Sequence, residues 1–269
     1  MPKSFISPLD DDMVKAIYGD QKNIGITAEL LKPVLGIPPE EYDTLTIQDP
    51  HLRRRWKKDK QGILDLLLTT KTGKGINVEV QVELYKAMVQ RIIYYQAKLM
   101  AEQLKDGYQY DKLRQTISVI ITNYTLLPEE TDYMNVYELR NSVSGGRFTD
   151  LQKFVILELS KLPEIDDGRP VWPQLRFFKC KTEEDLTMLL KKHPEIKPVA
   201  AEYRRISLSE RFRSIADHKE KQRRDEWAAH EYIRDEGRAE GRAESQQVIE
   251  ALTRELAELR QQQPDQGKR

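Results

Sequence analysis

The sequence predicts an α/β protein, with a mixed central sheet flanked by helices and a charged helical appendage at the C-terminal end. Segments with the alternation or continuous apolarity of β-strands recur between residues 42 and 159. Helical periodicity precedes them, separates them and follows them. The predicted order is helix, three strands, a long helix and further strands, which is typical of a mixed sheet with helices packed on it.

Helices are expected at three places before the appendage. Residues 10–36 are predicted to form two helical pieces, ended by Gly36 and the prolines that follow. Residues 84–106 are predicted to form one long helix that ends at Gly107 and packs its apolar face on the sheet. Thr182, followed by three acidic residues, is expected to cap a further helix.

Strands are expected on both sides of the long helix. Residues 42–48 supply the first, and a hairpin within residues 63–84 supplies the second and third. The continuous apolar run at residues 117–121 favours a strand that is buried on both faces. The strands predicted after the long helix cover residues 116–122, 133–139 and 153–159.

The last part of the chain differs in composition from the rest. Large apolar residues become rare, which predicts one domain at residues 1–206 and a charged helical tail at residues 207–269. Within the tail, about two heptads have coiled-coil spacing, at Ile249, Leu252, Leu256 and Leu259. We expect a helical tail that can form a homo-oligomer; a frayed charged tail is the alternative.

Overall charge predicts no binding partner, because 44 lysines and arginines balance 44 aspartates and glutamates among the 269 residues. Local charge is less even. The stretch RRRWKKDK at residues 53–60 is strongly basic, and a second basic stretch lies within residues 204–224. Each stretch would suit a phosphate backbone, with a solvated surface as the alternative.

Other residue types exclude several classes of protein. The single cysteine, Cys180, rules out a disulfide framework within the chain and is expected to be a buried, inert thiol in a reducing compartment. The four histidines have no zinc-ligand spacing. No apolar stretch approaches the length of a membrane span, and the first residues lack a signal-peptide pattern. We expect a soluble, cytoplasmic protein with no membrane partner.

The hairpin contains the most informative acids. Asp65 lies in an apolar run, and residues 76–83 alternate strictly, with polar side chains at Asn77, Glu79, Gln81 and Glu83. Period two places Glu79 and Gln81 on one face, where Asp65 can meet Glu79 from the neighbouring strand. Two carboxylates about 4 Å apart repel by roughly 4 kcal/mol at an effective dielectric constant of 20. Such a pair needs a shared proton, a basic partner or a hard cation such as Mg²⁺. A solvated strand face is the alternative.

At this hairpin the sequence resembles a known family. The segments that carry the resemblance follow in order over nearly the whole chain: ISPLDDDMVKAIYG, KQGILDLLLTT, INVEVQVEL, YYQAKLMAEQL and EGRAEGRAE. They resemble the Rpn family, the recombination-promoting nucleases of the PD-(D/E)XK superfamily. The resemblance implies a restriction-endonuclease-like core and a bacterial, Mg²⁺-dependent DNA endonuclease. It further implies a role in recombination linked to horizontal transfer, or in phage defence.

The resemblance also assigns roles to residues of the hairpin. Asp65 takes the place of the motif's aspartate and Glu79 that of its second acid. These two side chains and the backbone carbonyl of Val80 are then expected to bind Mg²⁺, with Mn²⁺ as a substitute. Gln81 stands where the superfamily usually has lysine, and its neutral amide can position water but supplies no charge. Lys60 is a candidate source of that charge.

The same resemblance predicts double-stranded DNA as the partner. An acid from the upstream helix is often part of such sites, and Glu29 is a candidate, with exposed helix surface as its alternative reading. Gln90, Tyr94 and Tyr95 on the long helix are candidates for the substrate groove, although core packing is the better interpretation of Tyr95. The residues expected to contact DNA phosphates are Arg53, Arg54, Arg55, Lys57 and Lys58.

Three functions are compatible with these features of the sequence. The first is a metal-dependent DNA endonuclease of low sequence specificity, linked to recombination or mobile elements. The second is a catalytically inactive DNA-binding or assembly protein that keeps the nuclease fold. The third is a purely structural oligomer built through the tail.

Overall fold

The structure, a computed structural model, describes residues 5–51, 65–104 and 109–262. The chain divides into two units, Met1–Ser209 and Glu210–Arg269. We expected the division after residue 206, which lies in the last turn of the helix Lys197–Ser207. The domain boundary remains a prediction. No helix among the described residues is both long enough and apolar enough to cross a membrane.

Among the described residues of the first unit, six strands form one mixed sheet, in the order β1-β2-β3-β4-β6-β5. β2 is antiparallel to both β1 and β3, whereas β3, β4 and β6 run parallel to one another. β5 closes the far edge antiparallel to β6. The predicted mixed α/β sheet is therefore confirmed. The strands are β1 (Thr46–Gln48), β2 (Leu66–Thr69), β3 (Gly75–Gln81), β4 (Thr116–Thr122), β5 (Met134–Glu138) and β6 (Gln152–Glu158).

Helices precede, interrupt and follow these strands, as the periodicity predicted. Gly36 ends the second helix in a left-handed conformation, with φ of 62°. Thr182 caps the sixth, in a capping box with Asp185. The helices of the first unit are α1 (Asp11–Tyr18), α2 (Ile24–Leu35), α3 (Pro39–Tyr42), α4 (Met88–Glu102), α5 (Trp172–Phe178), α6 (Glu183–Lys192) and α7 (Lys197–Ser207).

Two boundaries differ from the prediction. The first strand begins at Thr46 rather than at residue 42, because Pro39 starts a short helix that extends to Tyr42. The long helix covers Met88–Glu102 rather than residues 84–106. Gly107, its predicted end, lies outside the described residues.

In the second unit, the described residues form one helix, α8 (Glu210–Gln262), of 53 residues. The tail is therefore helical over this range rather than frayed. Ile249 and Leu252 of the proposed coiled-coil stripe are 58% and 54% exposed. Self-association through this stripe remains a prediction.

One face of the sheet is covered by α4. Met88 and Ile92 of this helix pack with Ile120 of β4 and Ile156 of β6 in one buried cluster. The register aligns Glu79 of β3 with Ile120 and Ile156, and residues aligned across neighbouring strands share a face. Glu79 therefore lies on the face that α4 covers.

A buried glutamine fixes α4 to β4. Gln96 is 1% exposed, and its Nε2 donates a hydrogen bond to the carbonyl oxygen of Thr116 at 2.7 Å. Its Oε1 accepts a hydrogen bond from the hydroxyl of Ser118. Both partners belong to β4, which is buried along its whole length.

The turn between β2 and β3 is anchored to α3. Glu41 is 6% exposed and accepts hydrogen bonds from Thr72 Oγ1 and Lys74 Nζ, each at 2.7 Å. Gly73 has a φ of 86°, which favours glycine at this point of the turn. These contacts hold the hairpin turn in one geometry, and turn geometry sets the register of the two strands.

Loss of the Gln96 amide should destabilise the first unit. In Gln96→Leu, the Ser118 hydroxyl loses its acceptor and the Thr116 carbonyl loses one donor, both in the core. Each buried polar group left without a partner destabilises the fold by about 1–3 kcal/mol. We expect the free energy of unfolding in urea to fall by about 2–4 kcal/mol. Gln90→Leu, the same change at an exposed position of α4, should stay within about 0.5 kcal/mol of the unsubstituted protein. Equal losses in the two variants would contradict this account.

Candidate metal and phosphodiester site

The β2–β3 register brings the two predicted acids together. Leu66 pairs with Val78 in antiparallel register, so Asp65, one residue before β2, lies across from Glu79. The backbone N–H of Val80 donates a hydrogen bond to Asp65 Oδ2 at 2.9 Å, which fixes the side chain of Asp65 against β3. Residues directly opposite each other in an antiparallel pair share a face. The carboxylates therefore face each other, as the hairpin pattern predicted.

Glu79 is an acid within the packed interior. It is 1% exposed, and Asn77 Nδ2 donates a hydrogen bond to its Oε1 at 2.9 Å. Its Oε2 is buried and has no hydrogen-bond partner in the part of the chain that the structure describes. The alternative of a solvated strand face is wrong for Glu79 and for Gln81, which is 9% exposed, whereas Glu83 is exposed.

Burial raises the pKa of both carboxyls. For Asp65, removal from water raises the pKa most, the Val80 hydrogen bond opposes this, and the negative charge of Asp11 adds to it. For Glu79, removal from water again dominates, the Asn77 hydrogen bond opposes it, and the charge of Asp65 raises the pKa further. The two acids thus repel each other in a poorly solvated site, where a cation would hold both in the charged form.

Backbone groups beside the acids complete the set of oxygen donors. Val80 N–H points toward Asp65, and the N–H and C=O of one strand residue project toward the same neighbour. The Val80 carbonyl oxygen is thus directed to the carboxylate side. The Gln81 carbonyl oxygen points the other way, since it accepts a hydrogen bond from Asn123 N–H at 3.0 Å.

The donors fit a hard divalent ion. Mg²⁺ binds through one or two carboxylates and keeps several waters for the substrate side. Asp65, Glu79 and the Val80 carbonyl provide such a set of oxygens. One of these oxygens, Glu79 Oε2, has no hydrogen-bond partner among the described residues and is available to an ion. Within residues 5–51, 65–104 and 109–262, no group of three or more His, Cys, Asp or Glu side chains could hold a metal.

One cation whose charge acts on both acids was not predicted from the sequence. Arg91, on α4, lowers the pKa of Asp65 and of Glu79 through its positive charge. Its guanidinium lies 5.5 Å from the ring centre of Tyr85 and 5.4 Å from that of Tyr95. The signal in the sequence was its spacing, because an arginine three residues after Met88 falls on the sheet-facing side of α4.

A second residue that the sequence analysis missed follows β4. Tyr124 has a buried hydroxyl without a hydrogen-bond partner among the described residues. Burial raises its pKa, and the nearby charge of Arg91 opposes this. Gln81 and Tyr124 lie at the same end of the sheet, since Gln81 pairs with Thr122, the last residue of β4.

Asp11 of α1, rather than Glu29 of α2, is the upstream acid whose charge acts on Asp65. Glu29 pairs with Lys32 on α2, is exposed, and does not act on either carboxyl. Asp11 of α1 is the acid that acts on Asp65, and it forms a 2.9 Å ion pair with Lys15. The prediction of Glu29 as a site residue finds no support in this geometry, because its carboxylate is engaged elsewhere.

Several predicted residues lie outside the described residues or away from the acids. Lys60 and the basic stretch at residues 53–60 are outside the described residues. In the second basic stretch, Arg204 pairs with Glu183 and Arg205 pairs with Glu202. The residues expected to contact DNA that are outside the described ranges are Arg53, Arg54, Arg55, Lys57 and Lys58.

The remaining candidate residues differ in how deeply they are buried. Tyr95 packs against Leu99, in accordance with its interpretation as a core residue. Tyr94 is 48% exposed and Gln90 is also exposed. Cys180 is buried, and burial raises the pKa of its thiol to about 11, as expected of an inert thiol.

Comparison with known proteins agrees with the resemblance found in the sequence. Residues 8–232 match the PD-(D/E)XK nuclease family transposase profile. No curated protein and no solved structure matched the chain. PD-(D/E)XK nucleases generally use divalent metals, and the match indicates a nuclease- or transposase-related function. Because the match covers more than half of its residues, this chain belongs to the PD-(D/E)XK nuclease family transposases.

Proposed function

We propose that this protein is a Mg²⁺-dependent endonuclease that hydrolyses phosphodiester bonds of double-stranded DNA with low sequence specificity. One observation carries the proposal: in a chain that belongs to a nuclease family, Asp65 faces Glu79, whose Oε2 is buried with no hydrogen-bond partner among the described residues. The family supports a further role in recombination linked to mobile elements or phage. Cytoplasmic location is part of the same proposal.

Asp65, Glu79 and the Val80 carbonyl would hold Mg²⁺, or Mn²⁺ in its place. When bound, the ion would activate water and offset negative charge on the phosphate. Asp65 is fixed by Val80 N–H and Glu79 by Asn77, so neither carboxylate has to reorganise. Such preorganisation is what catalysis by charge requires.

Gln81 would hold the attacking water or a phosphate oxygen through its amide. Water attacks phosphorus in line, the opposite P–O bond breaks, and the leaving oxygen takes up a proton. Gln81 lies two residues after Glu79 on the same face, which suits this positioning role. An amide donates hydrogen bonds but carries no charge.

Contacts with flanking DNA would come from the basic residues before the hairpin, Arg53 to Lys58, and Lys60 would act near the strand. Binding should then weaken steeply as salt increases, because phosphate contacts release counterions. The exposed apolar stripe of α8 would support a homo-oligomer.

A second function is favoured by one observation. Gln81 replaces the lysine of the motif, and a site without that charge fits a nuclease fold that binds DNA or assembles on it without cutting. That protein would bind DNA in a salt-dependent way, and Asp65→Asn would leave its binding intact.

Neutralising either acid should abolish cleavage. With Mg²⁺ or Mn²⁺ and supercoiled plasmid, Asp65→Asn and Glu79→Gln should each lower the nicking rate by more than about 100-fold. Loss of a group that only orients a metal ligand already costs 10–100-fold. Glu83→Gln, the same change at an exposed position of the hairpin, should keep normal activity. Equal nicking by all four proteins would end the proposal, and no nicking by any would favour the non-cutting alternative.

Metal binding should raise the thermal stability of the protein. At an ion concentration about 100 times the dissociation constant, the gain is about 2.7 kcal/mol. Protons compete with the metal for both carboxylates. Because the pKa values of the two carboxyls are raised, this competition begins at a higher pH than for ordinary carboxylates. We expect the Mg²⁺- or Mn²⁺-dependent shift in Tm to be full at pH 8 and to shrink as the pH falls. A shift that persists in the Asp65→Asn, Glu79→Gln double variant would place the ion elsewhere.

Without metal, the same acids should destabilise the protein at high pH. A carboxyl with a raised pKa in the folded state supports folding at low pH, and this contribution is lost as pH rises through that pKa. Glu79→Gln should therefore raise Tm relative to the unsubstituted protein at pH 8 in chelator, with a smaller difference at pH 5. The opposite pH trend would show that Glu79 is charged and compensated without metal.

A further inference from the structure

The proposed nuclease site lacks positive charge. A phosphodiester carries one negative charge, and the site already contains the carboxylates of Asp65 and Glu79. Gln81 adds none, so the ion alone would balance this charge unless a basic side chain contributes. This inference rests on the proposed function, and it concerns which residue of the chain binds the phosphate.

Arg91 is near both acids but is paired with neither. Its charge lowers the pKa of Asp65 and of Glu79. Within the described part of the chain, however, it forms no ion pair within 4.0 Å. Arg91 belongs to α4, the helix that covers the sheet face on which Glu79 lies. Its Nε is buried there.

The surroundings of Arg91 orient its guanidinium without using its hydrogen bonds. The rings of Tyr85 and Tyr95 both lie within 6 Å of the guanidinium carbon, at 5.5 and 5.4 Å from their centres. Cation–π contacts of this kind hold the charge through the ring faces. The N–H groups therefore stay available to an acceptor.

Buried atoms of three residues in this region are unsatisfied, and the charge of Arg91 acts on both Glu79 and Tyr124. Arg91 Nε, Tyr124 Oη and Glu79 Oε2 are all buried, and none has a hydrogen-bond partner among residues that the structure describes. Buried polar atoms in native proteins almost always have partners, so such exceptions need an explanation, and a missing ligand is one. Two of these atoms are donors, and a ligand with several acceptor oxygens would satisfy both.

Lys15 is the other cation that acts on Asp65, but it is less suitable. It forms a 2.9 Å ion pair with Asp11 and does not act on Glu79. Its charge is therefore already compensated on α1. Guanidinium also matches phosphate geometry better than ammonium does, because it presents a planar fork of donors.

We propose that Arg91 and the hydroxyl of Tyr124 form the binding site for the phosphodiester that is cut. Arg91 supplies the positive charge that the motif's lysine would have supplied at position 81. Tyr124 donates a second hydrogen bond to the same phosphate. The positive charge would thus come from α4 rather than from β3.

Binding tests this assignment without cleavage. In the Glu79→Gln background with metal chelated, the affinity for a short DNA duplex is measured as a function of salt. Arg91→Gln should reduce the slope of log K against log salt by about 0.9, the value for one lost phosphate contact. Arg91→Lys should keep the slope, because it keeps the charge.

Arg114→Gln is the matched control. Arg114 is exposed and precedes the N-terminal end of β4, whereas the register aligns Glu79 with Ile120, near the other end of that strand. Its loss should leave the slope unchanged. An unchanged slope in Arg91→Gln, or an equal fall in both variants, would overturn the assignment.

Cleavage gives the second test. Arg91→Gln should lower the rate constant for cutting bound DNA by about 100- to 1000-fold, the range for removing one charge-stabilising donor. Adding Gln81→Lys to Arg91→Gln should restore activity at least tenfold, because a cation returns to the site. Tyr124→Phe should cause a smaller loss. Full activity of Arg91→Gln would refute the proposal.

The two proposals can fail separately. Absence of nicking by the unsubstituted protein, with the slope change intact, would reject the nuclease and leave the phosphate site standing. Nicking that needs both acids but not Arg91 would keep the nuclease and reject the site.

Discussion

The buried carboxylate of Glu79 is the constraint on which the site depends. An ionised acid at 1% exposure is costly unless hydrogen bonds and a counter-charge compensate it. The protein provides one hydrogen bond, from Asn77, and places a second acid, Asp65, across the strand pair. These neighbours do not compensate the charge, since the pKa of Glu79 remains raised. The fold therefore maintains an electrostatic deficit at one end of the sheet, which a cation would relieve.

This deficit of positive charge couples the binding of a metal ion, of protons and of the phosphate to one another. Two carboxylates in the site oppose one guanidinium, that of Arg91, while Gln81 is neutral. Without a divalent ion, the cheapest adjustment is uptake of a proton; with one, both acids ionise. A site organised in this way would hold a metal ion loosely at low pH and would bind phosphate more tightly once the ion has balanced the acids.

The fold and the acids followed from local pattern, whereas the cation did not. Alternation in β3 and continuous apolarity in β4 depend on near neighbours, so the sheet could be predicted from periodicity. Asp65 and Glu79 are joined by one hairpin, and their meeting followed from its register. Arg91 acts on the acids through its charge from α4, a helix packed across the sheet, and only its helical spacing marks it in the sequence. Tyr124 lies in the loop after β4, at the same end of the sheet as Gln81. The short helix at Pro39 shortened β1 because proline favours a helix start over a strand interior.

The anchored turn at Gly73 has a consequence for how this family can vary. The Asp65–Glu79 pairing exists only in one register, and the Glu41 contacts to Thr72 and Lys74 maintain that register from the far end of the hairpin. Strand side chains alternate with a period of two, so a one-residue insertion or deletion that shifted the pairing would turn Asp65 to the opposite face. Length variation should thus be tolerated in most surface loops of the protein but not here. A homologue with an altered turn length would be expected to have lost the Asp65–Glu79 pairing while it keeps the fold.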